Sequence, residues 1–188
     1  MIKRLALLCC ILLLPTIAAA QGDTNYGDWW VGGHGGVLFA TDSDVCGTAG
    51  AIVGYNFCMP YRPAWQRYFG VALDFTWNHF QFNPNNLLNI DGNQFALTPL
   101  ARLQYPLMGD ERFTRGKLVP FLMFGPSVVW TSPDEGDTRT DFGVITELGL
   151  EYFLIPQLSI GPSFRYRHVW TGEGQNQYMV LGRLAYHF

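Results

Sequence analysis

Seven charged residues offer the clearest chemistry in this sequence: Asp74, Arg102, Glu147, Glu151, Arg165, Arg167 and Arg183. Each sits at an alternating position within a strand-like run, so the period of a β-strand sends all seven to one face. Four are cationic and three anionic, which leaves the set close to neutral. Guanidinium and carboxylate groups make strong, often bidentate hydrogen bonds. A charge removed from water is costly unless it is paired. If that face is enclosed, Arg165 and Arg183 are expected to pair with Glu147 or Glu151. Such a cluster has two uses: a plug of ion pairs that seals an interior, or an ion path that opens when the pairs rearrange.

Other chemistries find less support. Histidines 34, 79, 168 and 187 are scattered and have no partner at i+2, so no metal ligand set emerges. Asp42 and Asp44, and Asp134, Glu135 and Asp137, could hold surface Ca²⁺, but short acidic loops are usually only solvated. His79 with Ser132, and Asp134 or Glu135 beside it, is the nearest approach to a nucleophile and base. No His-x-Ser pair lies in a strand, and no G-x-S-x-G elbow occurs. The run Gly32-Gly33-His34-Gly35-Gly36 precedes no helix, so it reads as closely packed strand, not as a phosphate cradle. No catalytic residue, metal or cofactor is expected.

The elements that position the seven charges are legible as eight alternating runs with turn-rich gaps: residues 29–40, 48–58, 68–79, 94–105, 118–130, 141–154, 158–170 and 177–188. Each is longer than a usual soluble strand of about 5 or 6 residues and suits a tilted membrane strand of about 9–11. Sorted by parity, one face carries Val31, Val37 and Phe39, then Phe69 to Trp77, and later Phe164, Tyr166, Trp170 and Tyr178. Val119, Phe121, Met123 and Val129 are placed on this apolar face as well. The opposite face carries the seven charges among many glycines and serines. A solvated sheet face does not need small residues; the inside of a narrow cylinder does. Phe39, Trp77, Trp170 and Tyr178 fall near one end of the strands, and Phe57, Phe69, Tyr152, Tyr186 and Phe188 near the other, as two aromatic belts would. A soluble sandwich is the rival reading.

The chain begins Met-Ile-Lys-Arg, continues apolar from Leu5 to Ile17, and reaches small residues at Ala18–Ala20. That is the form of a signal peptide over 1–20, too short for an anchor helix. Without Lys3 and Arg4, ten basic residues face 15 acidic ones, a net charge of −5, so nucleic acid is not an expected partner. Cys46 and Cys58 could be bridged in an exported chain. A continuous strand over 48–58 excludes the bridge, because it would hold the two about 35 Å apart at 3.3 Å per residue.

The leader, the amphipathic runs, stretches such as VGGHGGVLF, AIVGYNF and GVITELGLEYFL, and the ending LGRLAYHF resemble the small eight-stranded outer-membrane barrels of Gram-negative bacteria. That group includes the outer-membrane protein A barrel and the opacity-type, porin-like outer membrane protein beta-barrel domain. The resemblance implies an all-β, eight-stranded antiparallel up-and-down transmembrane β-barrel over 29–188, after a periplasmic segment at 21–28. Tyr178, Tyr186 and Phe188 resemble the C-terminal signal that the barrel-assembly machinery reads. Outer-membrane lipid and lipopolysaccharide are then the surroundings. With the N-terminus in the periplasm, segments 41–47, 80–93, 131–140 and 171–176 are exposed. Loop 80–93, with Phe80, Phe82, Leu87, Leu88 and Ile90, is the expected contact for an extracellular ligand. The lengthy turns at 59–67 and 106–117 depart from the group's short periplasmic turns. The function expected is structural or surface recognition. A small porin-like channel and a lipid A-modifying enzyme are the alternatives.

Overall fold

The computed structural model describes residues 28–40, 45–57, 68–82, 90–109, 116–133, 137–171 and 174–188. The expected signal peptide, and Cys58, lie outside the described residues. Eight strands follow one another: β1 (Asp28–Ala40), β2 (Cys46–Asn56), β3 (Phe69–Phe82), β4 (Ile90–Gln104), β5 (Leu118–Pro133), β6 (Arg139–Ile155), β7 (Leu158–Val169) and β8 (Gln175–His187). Each pairs antiparallel with its sequence neighbour, and β1 pairs with β8, so the sheet is a closed barrel. Closure leaves the main ladder without a long open edge, which is what hydrocarbon demands of a sheet.

The glycine run in β1 lies at the closing seam. Gly32 pairs with Ala185 and Gly36 with Leu181. A Cβ on Gly32 would sit 2.7 Å from the Leu184 carbonyl oxygen, and one on Gly36 would overlap the Val180 carbonyl. The two strands approach too closely there for a side chain. Inside the barrel, glycines make room of another kind. A Cβ on Gly54 would overlap the Trp30 ring, one on Gly50 the His34 ring, and one on Gly149 the Phe121 ring. Each glycine admits a large ring from an adjacent strand.

The outward face is apolar. Val31, Phe39, Val71, Phe75, Leu97, Phe142, Leu148, Phe164, Val180 and Leu184 are all exposed. The aromatics gather towards the strand ends. Trp29 and Tyr55 stand 5.0 Å apart, Tyr68 and Tyr105 5.5 Å, and Tyr186 and Phe188 5.2 Å at one end. At the other, Tyr166 and Tyr178 stand 5.3 Å apart and His168 and Trp170 5.9 Å.

The strand boundaries expected from alternation need two corrections. The segment 80–93 is mostly strand: Phe80 pairs with Gly92, Gln81 with Asp91 and Phe82 with Ile90. Only 83–89 separates β3 from β4, and it lies outside the described residues. The alternation of Phe80, Gln81 and Phe82 continues the strand, and a paired backbone is the cheaper state for it. Likewise β5 runs to Pro133, β6 begins at Arg139 and β8 at Gln175, so the connections at this end are shorter than 131–140 and 171–176. The segment 106–117 is also partly ordered as hairpin, with Leu107 N–H donating to the Leu118 carbonyl at 2.8 Å and Lys117 N–H to the Leu107 carbonyl at 3.0 Å.

The second correction is the parity of β5. Val119, Phe121, Met123 and Val129 are 0–3 % exposed and fill the interior. Their neighbours along the strand, Leu118, Leu122 and Phe124, take the outer side. Both parities of LVPFLMFGPSVVW are apolar, so alternation carries no sign there. The one polar residue, Ser127, shares parity with Phe121, and its hydroxyl meets that of Thr98 at 2.8 Å in the lumen. The interior is thus half apolar. Trp30, Ile52, Leu100, Phe121, Met123 and Ile145 cluster in it, and Leu38, Cys46, Met179 and Leu181 form a second group.

A nitroxide probe attached in turn at residues 122 and 123 tests this orientation. In bilayers, the label at 122 should collide freely with dissolved oxygen and the label at 123 should be immobilised and shielded. The reverse order would restore the parity first expected.

Candidate functional site: a charged lumen

All seven sequence-marked charges point into the lumen, and none is more than 5 % exposed. Arg165 on β7 stands at the centre. Its register partner on β6 is Glu147. Arg165 Nε donates to Glu147 Oε2 at 2.8 Å, and Nη2 lies 2.7 Å from the same oxygen. Its other edge crosses the barrel to β3, where Nη1 donates to Asp74 Oδ2 at 2.9 Å and to Thr76 Oγ1 at 2.8 Å. Asp74 is also met by His34 Nε2 at 2.8 Å and by the Thr76 hydroxyl at 2.8 Å. Glu147 takes a second cation, with Arg183 Nη1 donating to Oε1 at 2.7 Å.

Arg102 and Glu151 form a separate pair. The guanidinium donates from Nη1 and Nη2 to the two carboxylate oxygens at 3.1 and 2.7 Å, and Nε donates to Gln104 at 3.0 Å. Two aromatic rings connect this pair to the centre. Arg102 lies 4.9 Å from the centroids of both Trp30 and Phe121, and Arg183 lies 5.7 and 4.6 Å from the same two. Cation–π attraction is strongest where water is excluded, as here. The glycines at 54 and 149 that admit these rings therefore serve the charge network directly.

Arg167 stands apart. It is fully buried, yet it meets no carboxylate among the described residues. Its Nη1 reaches the Gln177 amide oxygen at 3.4 Å, and its Nε and Nη2 have no hydrogen-bond partner. Above it neutral amides span the barrel: Gln177 Nε2 donates to Gln94 Oε1 at 2.9 Å and to Gln175 Oε1 at 2.8 Å. Gln94 in turn donates to Thr131 Oγ1 at 3.2 Å. Turning the Asn78 amide over would set its nitrogen 2.7 Å from Thr48 Oγ1 and its oxygen 3.3 Å from Arg167 Nη1.

The structure separates the other residues first considered for chemistry. His79 is on the outer face, stacked on Trp77 at 6.3 Å. Ser132 bonds to Thr138 at 3.0 Å. Asn93 of β4 lies between them in register, so they are two strand spacings apart, about 10 Å. Asp134 and Glu135 lie outside the described residues, as do Asp42 and Asp44. At the chain end, Tyr178 and Tyr186 point outward and the Phe188 N–H donates to the Trp29 carbonyl at 2.8 Å.

Sequence reasoning missed His34, Thr76, Trp30, Phe121 and the amides of Asn78, Gln94 and Gln177 as members of this network. His34, Thr76, Asn78 and Gln94 had the right parity. The contact from Asp74 to Arg165 spans 91 residues and depends on the stagger of strands around the barrel, which alternation does not encode. Glu147 holds two arginines at once, so its loss should cost most. Glu147→Gln should lower stability in a urea titration by about 3–5 kcal/mol, the cost of stranding a buried charge. It should also lower the temperature at which the folded band is lost on a gel. Unchanged values would show that the pairs carry no weight.

A model of the "Outer membrane protein beta-barrel domain" family matches residues 6–188. No curated protein matches the chain. Among solved structures, Neisserial surface protein A superposes with a TM-score of 0.65 at 15% identity, covering 85% of this chain and 97% of that one. A major outer membrane protein from Thermus thermophilus gives 0.61 at 13% identity, covering 87% and 100%. Ail, the attachment invasion locus protein of Yersinia pestis, bound to the heparin analogue sucrose octasulfate, gives 0.54 at 14% identity, covering 87% and 99%. At such identities the likeness shows the fold, and it is the same closed barrel. The chain belongs to the outer membrane protein beta-barrel domain family, and it is a barrel of the outer membrane, apolar towards lipid and charged within.

Proposed function

We propose that this protein is a non-conducting outer-membrane barrel whose recognition work is done at its surface-exposed end. The observation that carries this reading is the filled lumen: Arg165 joins β7, β6 and β3 across the barrel, and all its hydrogen-bonding nitrogens are engaged. An ion would have to part several buried ion pairs at once to pass.

The exposed end in this reading holds the connections 41–45, 83–89, 134–138 and 170–174. Together they carry Asp42, Asp44, Asp134, Glu135, Asp137 and Glu173, and no Lys or Arg. The connections at the opposite end, 57–68 and 105–117, carry Arg62, Arg67, Arg112, Arg115 and Lys117 against Asp110 and Glu111. A field of this sign attracts cationic partners and repels polyanions. A ligand like the one bound by Ail, a polysulfated sugar, is therefore the wrong charge for this chain, and a basic protein or peptide segment is the right one. The connection 83–89 adds the apolar residues Leu87 and Leu88 to that acidic end. At the periplasmic end, Tyr186 and Phe188 present the aromatic outer edge that the assembly machinery would read, with Tyr178 further along the same face of β8 towards the exposed end. Deleting Phe188 should lower the assembled fraction in cells while leaving refolding in detergent nearly unchanged.

Two measurements test the main reading. Planar bilayer recordings should show no discrete conductance steps; regular steps would favour the porin-like alternative. Barrels in nanodiscs should retain polylysine and not sucrose octasulfate, and replacing Asp134, Glu135 and Asp137 with Asn should weaken that retention several-fold. Retention of the octasulfate in preference would overturn the charge argument.

A further inference from the structure

The lumen divides into two layers of unequal quality. In the inner layer each arginine is matched: Arg165 to Asp74 and Glu147, Arg183 to Glu147, Arg102 to Glu151. In the outer layer, nearer the end with the acidic connections, Arg167 is buried without a counter-charge among the described residues. The groups that face it are neutral or already engaged. Gln177 lies opposite it on β8, with Asn78 and Gln94 beyond. The nearby carboxylates of Asp74 and Glu147 are both occupied by Arg165, and Arg165 itself adds repulsion. An anion has every electrostatic reason to enter this layer.

What closes the layer is weak by comparison. The bond from Gln177 Nε2 to Gln94 Oε1, at 2.9 Å, links β8 to β4 across the lumen. It is a neutral amide hydrogen bond, and such a bond contributes little net stability beside the cost of a buried, unpaired charge. Parting it frees amide N–H groups on Gln177 that can donate to an anion beside Arg167. With its nitrogen towards Thr48, the Asn78 amide turns its oxygen to Arg167 Nη1 at 3.3 Å, so the oxygens offered to this guanidinium by β3 and β8 belong to neutral amides.

We propose that Arg167, with the side-chain amides of Gln94 and Gln177, forms a binding site for a small inorganic anion of the halide class. The site is occupied when the amide layer opens towards the exposed end of the barrel. In the closed arrangement Arg167 is 0 % exposed, so binding and opening are one event. The anion supplies the counter-charge that Arg167 does not find among the described residues, since Asp141, the other buried carboxylate of β6, is engaged by Arg139 at 2.8 Å. This goes beyond a recognition role and does not require a conducting pore, because the Arg165 layer beneath stays closed.

Chloride is the probe. The folded barrel in detergent should unfold at a higher temperature in sodium chloride than in sodium gluconate of equal ionic strength, by a few degrees. Chloride NMR should show line broadening in excess of protein-free micelles, reversed by bromide. Arg167→Met should abolish both effects. Equal unfolding temperatures in the two salts with no excess broadening would overturn the site. So would an Arg167→Met variant that keeps the chloride dependence, since the ion would then lie elsewhere. If Arg167→Met does not fold, the wild-type broadening and its reversal by bromide decide the matter alone.

Discussion

The guanidinium of Arg165, held between Glu147 on the neighbouring strand and Asp74 across the lumen, is the interaction on which the rest of this barrel depends. Two carboxylates buried this deeply would be intolerable without it, and Arg165 would be intolerable without them. Once that bridge is in place, the surrounding choices follow. Arg183 shares Glu147, His34 and Thr76 complete the shell around Asp74, and Trp30 and Phe121 stack against the two remaining paired arginines. Glycines at 50, 54 and 149 are the space these groups need.

The outer surface follows a different constraint. Hydrocarbon offers no hydrogen bonds, so the backbone must be satisfied within the sheet, and only a closed cylinder does that. Apolar side chains cover it, and aromatic rings collect where the hydrocarbon ends. Charge outside the lumen gathers at the two ends, mainly acidic at one, where Arg139 is the exposed exception, and mainly basic at the other. The polypeptide therefore reverses the usual soluble arrangement: the interior carries the ion pairs and the exterior carries the grease.

Much of this was legible in the residues themselves. Period-two alternation placed eight strands close to where they lie, because seven of them have one polar and one apolar face. The eighth, β5, has two apolar faces, and there the reading inverted. Ser127 was the remaining clue, and one residue among thirteen is a faint one. The charged residues were legible as members of one interior, since parity alone decides which side they take. Their partners were less so. Glu147 opposite Arg165 follows from adjacency of β6 and β7, whereas Asp74 opposite Arg165 requires the stagger of the whole cylinder. The β3–β4 hairpin outran its expected length because its backbone pairing continues past the apolar band that marked the strand.

A double-mutant cycle between Asp74 and Arg165 measures the central bridge most directly. Asp74→Asn, Arg165→Met and the double variant would be compared with the parent by equilibrium unfolding in lipid bilayers. The account predicts a coupling energy of about 1.5–3 kcal/mol, at the upper end of what contacting residues show. A coupling indistinguishable from zero, with each single change costing little, would mean that the barrel is held by its apolar exterior and its backbone alone.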